Sequence, residues 1–597
     1  MTDVSFIHPS LAFVALALIL PWLKAENHAA WRWLLLLPPV VAIASVVSLT
    51  FGPAGTRVIE PVRYLGLNLQ FGRIDALSLI FAHVFAVQSL IGMLYALHLP
   101  ERRQHIAASL YIAGAFGCVF AGDYLTLFIF WELMSVASTC LVWFNNNARS
   151  TAAGFRYFLF HVLGGLLLLG GLLLRHQATG NFDFIPVAPD AARFYDWMIL
   201  AGFAVNAAVV PLHAWLPDAY PEATVTGAVF MSAFTTKTAV YVLARAYAGF
   251  EILAVMGVVM CLWGVFYATI ENNARRILSY HIVSQVGYMV AGIGIGTSMT
   301  IDGACAHAYA HILYKGLLFM GAGCLLYSAG TAKLSELGGL ASRLPLVMIG
   351  YMVGAVSISG MPLFNGFISK TMTITGAAEA HRTWLALGME VAAVGTFLSV
   401  GIKLPYFAFW SRPKNDMPLK PIPWNMYLGM GIASFLCLFI GLFPQTLYSL
   451  LPFPTDYVPY TPWHVLQASL LLGFTGLGFY FMRNVLHPKP GRNLDFDALY
   501  RIVAMGFYRL VSVPVAFLDS LWNDAYEKIG LRGLWESAKA TIVFDTRGID
   551  GVLDGSARGV RGFGGVTGKL QTGRLQDYLT GVAALGLAIF ALVWALW

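Results

Sequence analysis

The sequence predicts an all-α polytopic membrane protein, and three observations support this fold class. Hydrophobic residues make up 58% of the 597 residues, charged residues make up only 11%, and the mean hydropathy is +0.70. A helix needs about 20 apolar residues to cross the hydrocarbon core, and roughly sixteen runs of about that length follow one another along the chain. When these runs alternate across a membrane, the short basic loops between them fall on one face. We therefore expect about sixteen transmembrane helices and no large soluble domain.

The predicted spans follow from the positions of the apolar runs. In chain order they are 10–23, 31–51, 75–98, 105–121, 124–144, 152–174, 193–216, 224–247, 250–270, 276–296, 303–328, 345–370, 383–410, 425–444, 463–482 and 577–597. The basic loops LPERRQH, NNNARS, ENNARR, SRPKNDMPLK and RNVLHPKPGR share one face, which the positive-inside rule identifies as cytoplasmic. The acidic loop GNFDFIPVAPDAARF falls on the opposite face, and both termini are expected there too. We expect the protein in the bacterial cytoplasmic (inner) membrane.

Two of these spans contain residues that break helices. The stretch VVPLHAWLPDAYPEA carries three prolines in or after the seventh span, and SISGMPLFNGFISK places Gly360, Pro362 and Gly366 inside the twelfth. Broken helices at corresponding positions of two halves are typical of inverted-repeat transporters, although prolines also occur in membrane helices without any repeat. We predict two inverted five-helix repeats, over residues 105–247 and 250–410.

The segment between the fifteenth and the last span differs from the rest of the chain in its polarity. In FDALYRIVAMGFYRLVSVPVAFLDSLWNDAYEKIGL, aromatic and aliphatic residues interleave with charged ones, a pattern typical of an amphipathic helix lying along a membrane or on neighbouring helices. The predicted organisation is N-terminal helices over 1–104, the two repeats, two helices over 411–482, a lateral amphipathic segment over 483–576 and a terminal span over 577–597.

Several classes of site are excluded by the sequence pattern. The six cysteines are scattered without CxxC pairing, and no cluster of histidine, cysteine and carboxylate has metal-ligand spacing. The glycine-rich RGVRGFGGVTGKLQTG lacks the GxxxxGK[ST] spacing of a phosphate-binding loop. The net charge of +7 reflects basic loops and does not indicate nucleic-acid binding. We therefore expect no metal, no cofactor and no catalytic centre in this chain.

Charged residues inside the predicted spans are the strongest functional signal. Glu132 lies in the middle of LTLFIFWELMSVASTCLVWF, and Lys237, Lys315 and Lys370 lie in later spans. Each such residue costs about 2.5–3.5 kcal/mol on insertion scales, and charged residues in membranes usually face a cavity and serve transport. Two alternatives remain at this point: a static ion pair between Glu132 and Lys237, and a Lys370 side chain that extends to the membrane interface.

Histidines accompany one of these lysines at helical spacing. His307, His311 and Lys315 follow i, i+4, i+8, which places them on one stripe of about 12 Å. Imidazole titrates near neutral pH, and burial favours the neutral form of lysine, so the stripe suits a proton relay. His213 and His281 are further relay candidates, although a lone buried histidine is more often a hydrogen-bonded helix contact.

The motifs in these spans resemble those of one family, the antiporter-like membrane subunits of respiratory complex I, Mrp-type cation/proton antiporters (their A-type and D-type subunits) and membrane-bound hydrogenases. The resemblance is carried by FWELMSVASTCLVW, PLHAWLPDAYPEATVTGAVF, SYHIVSQVGYM, HAYAHILYKGLLFMGAG and SGMPLFNGFISK. It implies that Glu132 is the proton-channel glutamate, Lys237 the lysine of the eighth helix and Lys370 the lysine of the broken twelfth helix. The C-terminal segment is similar to that of the distal subunit of complex I, whose lateral helix clamps its neighbours.

The sequence departs from the family at one position. Aligned on VPLHAWLPDA, Asn206 stands where the family usually places the central lysine of the seventh helix, which pairs with the glutamate. An asparagine can donate a hydrogen bond but cannot change its charge. We therefore expect the first half of the chain to work as a modified channel and the major proton path to run through the second half.

The sequence thus predicts a proton-translocating subunit of a multisubunit membrane complex, coupled to a partner redox or energy-converting module of the NADH:quinone oxidoreductase type. Two alternatives stay open: a subunit of a multisubunit Na+/H+ antiporter, and a membrane anchor for a soluble enzyme. Expected partners are other membrane subunits, the lipid bilayer, protons and, in the antiporter alternative, Na+, with no nucleic acid. The sequence does not identify the partner enzyme, the coupling ion or the direction of coupling.

Overall fold

The chain folds into a helical membrane protein in a computed structural model that describes residues 7–52, 55–59, 61–64, 66–412, 418–491 and 493–597. Part of the basic loop 411–420, and Arg492 in the next basic loop, lie outside the described residues. The α-helices are α1 Pro9–Ile19, α2 His28–Trp31, α3 Leu37–Thr50, α4 Ala76–Ala96, α5 Arg102–Phe120, α6 Tyr124–Trp143, α7 Ala148–Thr179, α8 Phe194–Asn206, α9 Trp215–Ala219, α10 Val225–Met231, α11 Thr235–Ala246, α12 Glu251–Ile270, α13 Ala274–Ile295, α14 Ser298–Ala329, α15 Pro345–Ser359, α16 Asn365–Glu379, α17 Thr383–Thr396, α18 Trp424–Leu442, α19 Gln445–Tyr448, α20 Pro462–Met482, α21 Phe496–Ala525, α22 Arg532–Val543, α23 Asp550–Lys569 and α24 Leu575–Ala595.

The predicted all-α membrane fold is confirmed. Every predicted span corresponds to one helix or to two helices separated by a break, and twelve helices of the described chain are long and apolar enough to cross a membrane. Helices α5 and α13 are not among the twelve, and α13 carries many polar residues. The count of sixteen crossings stays a prediction.

Two short antiparallel strand pairs, which the sequence analysis did not predict, lie between α3 and α4. Strand β1 (Arg57–Val58) pairs with β4 (Arg73–Ile74), and β2 (Val62–Tyr64) pairs with β3 (Leu67–Leu69). Each strand has only two or three residues, which is too short for a periodic pattern to be recognised in the sequence.

Both predicted helix breaks are present. Helix α8 ends at Asn206 and α9 begins at Trp215, while α15 ends at Ser359 before Gly360, whose φ of 76° lies in the left-handed region that favours glycine. A third break, which the sequence analysis missed, separates α10 from α11 at residues 232–234. Breaks of this kind leave backbone carbonyls without helical partners.

Helix α14 occupies the centre of the bundle. It packs against α4, α10, α13, α15, α16 and α18, and nearly all of its residues from Thr300 to Leu325 are buried. The helix that carries the predicted relay stripe is therefore enclosed by protein on all sides.

Two segments of the bundle repeat the same local structure at an offset of 150 residues. Isolated β-bridges join Asp123 to Asp183 and Asn273 to Lys333, and α7 and α14 are both 32 residues long. Both helices begin with a capping box, at Asn147 and Thr297, and both end at a left-handed glycine, Gly180 and Gly330. The correspondence covers two successive helices and their connections, and the five-helix repeat stays a prediction.

The chain divides into two units, Met1–Asp497 and Ala498–Trp597. The second unit consists of a long helix and α24. The long helix runs without a break from Phe496 to Lys569 and includes two π-helical stretches, Tyr526–Leu531 and Phe544–Ile549. Its 74 residues extend over about 110 Å at about 1.5 Å per residue. A long helix therefore forms where the sequence predicts the lateral amphipathic segment.

Candidate functional site

The three residues of the predicted relay stripe lie fully buried along α14. His307 is held by two hydroxyl groups: its Nδ1 lies 3.0 Å from Ser369 Oγ and its Nε2 lies 3.4 Å from Tyr314 OH. His311 and Lys315 differ from it, because neither ring nitrogen of His311 nor the Nζ of Lys315 has a hydrogen-bond partner among the described residues. The stripe thus places one tethered histidine beside two groups that are free to bind a proton or water.

A polar side chain from α4 joins this region. Gln88 is fully buried, both atoms of its amide lack partners in the described part of the chain, and the amide lies against Gly316 next to Lys315. Buried polar groups in folded proteins are nearly always hydrogen-bonded, to protein or to ordered water. Unpartnered groups on two facing helices therefore leave hydrogen-bonding capacity near Lys315 that the described protein does not fill.

Lys370 lies at the break in the twelfth span. Its Nζ donates a hydrogen bond to the carbonyl of Ile358 at 2.7 Å and lies 5.1 Å from the centroid of the Tyr288 ring. Ile358 is in the last turn of α15, where backbone carbonyls lack helical partners and the helix dipole attracts a positive charge. The Lys370 side chain therefore points to the break and not to the membrane surface.

Lys237 is held in the same way in the first half. Its Nζ donates to the carbonyl of Ser232 at 2.6 Å, in the break between α10 and α11, and to Thr236 Oγ1 at 3.1 Å. Its nearest polar partners are therefore a backbone carbonyl and a hydroxyl, and among the described residues no ion pair joins it to Glu132.

Glu132 and Asn206 lie in the first half without partners. Glu132 is half-buried on α6, and its Oε1 lies so close to α7 that a Cβ atom added at Gly165 would be 2.2 Å from it. Neither that oxygen nor either amide atom of the fully buried Asn206 has a hydrogen-bond partner among the described residues. The structure thus leaves both members of the altered pair unsatisfied by protein.

The two candidate histidines have specific partners. His281 Nε2 lies 2.7 Å from Ser399 Oγ. His213 lies in the break of the seventh span, where its Nε2 is 3.2 Å from Asp495 Oδ2 and 3.0 Å from Trp263 Nε1. Burial alone would raise the pKa of Asp495, but the hydrogen bond and charge of His213 outweigh it and lower this pKa. His213 thus attaches the broken helix to the residues just before the long helix, a structural role that the sequence analysis did not assign to it.

Two cavities open near the charged residues, on opposite ends of the bundle. A cavity of about 650 Å³ is lined by Arg149, Asp218, Glu271 and Arg276, in loops that the charge pattern assigns to the cytoplasmic face. A cavity of about 420 Å³ reaches from Lys370 to Thr383 and Trp463, at helix ends that the same pattern assigns to the opposite face. Lys370 and Glu390 therefore line one cavity, which reaches the helix ends on that face and is otherwise mainly apolar.

Three ionisable residues of this region were missed in the sequence analysis. Glu390 lines the smaller cavity and accepts a hydrogen bond from Gln467 at 2.8 Å. Lys403 donates to the carbonyls of Thr269 and Glu271 at the end of α12, and His161 is fully buried on α7. All three lie inside predicted spans, so the rule that singled out Glu132 would also have identified them.

Comparisons with known proteins relate this chain to one family of membrane proteins. Residues 121–398 match the family described as "NADH:quinone oxidoreductase/Mrp antiporter, TM". The chain is 30% identical to the A-type subunit of the Na+/H+ antiporter of Alkalihalophilus pseudofirmus over 488 residues, which cover 72% of this chain but only 60% of that protein.

Two solved structures have the same fold. A chain of the Mrp complex from Dietzia sp. superposes with a TM-score of 0.67 at 23% identity, covering 79% of this chain and 98% of that one. A chain of respiratory complex I from Thermus thermophilus superposes with a TM-score of 0.63 at 22% identity, covering 74% and 98%.

Proposed function

We propose that this chain is a proton-translocating subunit of a multisubunit membrane complex, because its central helices, residues 121–398, match the model of the antiporter-like membrane subunits. The observation that carries the proposal is the stripe on α14, where His311 and Lys315 are fully buried and unpartnered among the described residues, at the centre of the bundle. A cation at that depth is costly, and ionisable residues that are found there usually serve transport.

Proton transfer in the second half would use a series of buried groups on α14 and α16. Lys315 takes up or releases a proton in a hydrated space beside Gln88, and His311 and His307 carry it along α14. Lys370, held by the Ile358 carbonyl, passes it to the cavity that contains Glu390. The charge on one lysine alters the proton affinity of the next, because charges couple strongly in a low-dielectric interior.

The energy for transport would come from partner subunits. The sequence carries no cofactor motif, and the similar chains in the Dietzia and Thermus structures are parts of multisubunit membrane complexes. We expect a redox or other energy-converting partner module, membrane neighbours along the long helix, and the bacterial cytoplasmic membrane as the location.

A second candidate function is Na+/H+ exchange. It is favoured by the similarity to the A-type subunit of an Na+/H+ antiporter and by the outer cavity, where the Glu390 carboxylate and the Gln467 amide offer oxygen ligands to a cation. The same series of proton-transfer groups would then exchange protons for Na+.

Transport assays in inside-out membrane vesicles that contain the intact complex test the proposal. Acidification of the vesicle lumen after addition of an electron donor is followed by quenching of a fluorescent amine, and in a separate assay the loss of a preformed acidification after addition of Na+ is followed by recovery of the fluorescence. Wild type is compared with Lys315→Ala, and with Lys333→Ala, which removes an exposed lysine at the surface. Loss of transport in the first variant alone supports the proposal.

Normal transport in Lys315→Ala vesicles would contradict it and would favour an anchoring role. A response to the electron donor identifies a redox-coupled pump, whereas a response to Na+ alone identifies the exchanger.

A further inference from the structure

His161 is a buried histidine with one free nitrogen. Its side chain is fully buried on α7, its Nδ1 lies 2.9 Å from the carbonyl oxygen of Tyr157, and its ring stacks on Tyr157 with centroids 4.0 Å apart. A carbonyl oxygen only accepts hydrogen bonds, so Nδ1 carries the hydrogen and Nε2 holds the lone pair. That Nε2 has no hydrogen-bond partner among the described residues. The ring is therefore fixed as a base with its accepting nitrogen unoccupied.

Two further unsatisfied groups of the first half, Glu132 Oε1 and the Asn206 amide, belong to α6 and α8, helices that pack against α7. Gly165, which touches Glu132 Oε1, lies one turn further along the same face of α7. On the other side, Trp215 contacts the His161 ring at 4.7 Å and donates its Nε1 to the carbonyl of Val205, the residue before Asn206. Glu132 on α6 and Asn206 at the end of α8 therefore flank the stretch of α7 that carries His161.

The 150-residue offset gives an independent reason to single out this histidine. The offset relates α7 to α14 from their capping boxes to their terminal glycines, and it places His161 in register with His311 and Gly165 in register with Lys315. Where α14 carries a lysine side chain, α7 carries a glycine, and the Glu132 carboxylate from α6 fills the adjacent space. Each half thus has a histidine one turn before a position that an ionisable side chain occupies, as Lys315 does, or lies against, as Glu132 does at Gly165.

We propose that His161 is the proton-exchanging partner of Glu132. In the first half it would supply the titratable group that Asn206 cannot provide. The inference rests on the proposed function, because it assigns a further residue to the same transport. In the exchange, the protonated Glu132 carboxyl gives its proton to a bridging water, and that water gives a proton to His161 Nε2. The products are a carboxylate and an imidazolium, and the reverse step restores both neutral groups.

The experiment compares His161→Gln with Glu132→Gln, Lys315→Ala and wild type in the vesicle assay, with each rate divided by the amount of assembled complex. We expect His161→Gln and Glu132→Gln to lower transport to a similar degree, about fivefold, which corresponds to about 1 kcal/mol on the transfer barrier. His105→Gln is the matched control, because His105 is also buried, bonds a backbone carbonyl through one nitrogen and contacts a tryptophan ring. It lies on α5, away from Glu132, and should transport normally.

A rescue variant separates proton exchange from packing. Asn206→Lys combined with His161→Gln returns a titratable group to the neighbouring helix, and we expect it to recover at least half of the lost rate. A packing defect at residue 161 would not be repaired by a lysine at residue 206.

Three outcomes would overturn the inference. These are a wild-type rate in His161→Gln, a low rate that Asn206→Lys does not improve, and failure of both His161→Gln and His161→Asn to assemble when His105→Gln assembles. Normal transport in Lys315→Ala would instead overturn the proposed function, so the two failures are distinguishable.

Discussion

The two halves of the bundle contain helices of the same length with matching ends, α7 and α14, but carry their ionisable residues differently. In the second half, α14 itself carries the buried cation, Lys315, one turn after His311. In the first half, α7 carries a glycine at the corresponding position, and the ionisable group is a carboxylate supplied by α6. The helix ends are therefore repeated, whereas the ionisable group at the corresponding place is the Glu132 carboxyl in one half and the Lys315 amine in the other.

Lys237 and Lys370 resemble each other in how they are held, although the offset of 150 residues does not relate these two positions. Lys237 and Lys370 each donate to a backbone carbonyl that a helix break has released, from Ser232 and Ile358. A carbonyl can hold either the ammonium or the neutral amine form, so a lysine in this position can gain and lose its proton without losing its anchor. The halves therefore differ in the ionisable residue at the helix centre, and each also has a lysine anchored at a helix break.

The largest expected effect is the loss of Lys315, which tests the second half. Lys315→Ala should reduce proton transport at least a hundredfold, roughly the lower range for loss of a positioned proton-transfer group. Assembly should be retained, because the ammonium makes no hydrogen bond to the described protein that would be lost. Vesicle acidification and the amount of assembled complex measure the two quantities.

Lys315→Arg provides the matched comparison at the same site. Arginine keeps the positive charge but has a pKa above about 12 and does not release its proton, so transport should stay as low as in the alanine variant. Full activity with arginine would mean that a fixed charge is sufficient, and the relay interpretation would be wrong.

The second prediction tests the first half. Glu132→Gln keeps the size and the hydrogen-bonding capacity of the side chain but removes its proton exchange. We expect a loss of about fivefold, smaller than for Lys315→Ala, because the first half lacks the usual lysine and contributes the minor share of transport. If Glu132→Gln and Lys315→Ala are equally inactive, the two halves contribute equally to transport, and the expected difference between them is wrong.

Much of the fold could be predicted because its signals are local. Apolar runs locate the helices, and glycine and proline locate the breaks at residues 207–214 and 360–364, since each depends on a few adjacent residues. The stripe of His307, His311 and Lys315 was predictable for the same reason, as its members share one helix.

The rest of the site depends on contacts between distant segments. Nothing near Asp495 in the sequence indicates that it pairs with His213, 282 residues away. The break at residues 232–234 contains neither glycine nor proline, and so lacks the usual signal. His161 was overlooked as a single histidine in an apolar run, and its correspondence with His311 becomes visible only when the helix ends define the offset of 150 residues.

The third prediction tests whether Gly165 on α7 makes room for the Glu132 carboxylate. Gly165→Ala places a methyl group 2.2 Å from the present position of Glu132 Oε1, so the carboxylate must move. We expect transport to fall about threefold, less than for removal of the carboxyl group itself, because a displaced carboxylate can still exchange a proton. The measurement is again the initial rate of vesicle acidification.

Gly170→Ala is the control on the same helix. A methyl group there meets only the flexible end of the Met198 side chain, at 3.0 Å, and should leave transport unchanged. Equal losses in both variants would show that α7 tolerates no added volume, and would remove the special role of Gly165.

The last variant is expected to leave transport unchanged. It removes an ion pair that connects the first half of the bundle to α4. Arg245 donates two hydrogen bonds of 2.7 Å to Asp75, which also caps α4 through Ser78. Burial raises the pKa of Asp75, but the hydrogen bonds and positive charge of Arg245 outweigh it, and the pKa falls to about 2. Asp75→Asn keeps an N-cap residue of similar strength, so it removes the charge and little else.

The pH dependence of stability identifies this ion pair as structural. A carboxyl whose pKa is lowered on folding stabilises the folded state above its usual pKa, and the contribution is lost as the pH falls through the folded value. Asp75→Asn should therefore destabilise the solubilised complex by about 2 kcal/mol from about pH 8 to about pH 5. The difference from wild type should shrink below about pH 4 and nearly vanish at about pH 2. Denaturant unfolding followed by tryptophan fluorescence measures it, and transport per assembled complex at neutral pH should equal wild type. A fall in that rate would place Asp75 in the proton path, and the outer end of the first half would then be functional as well as structural.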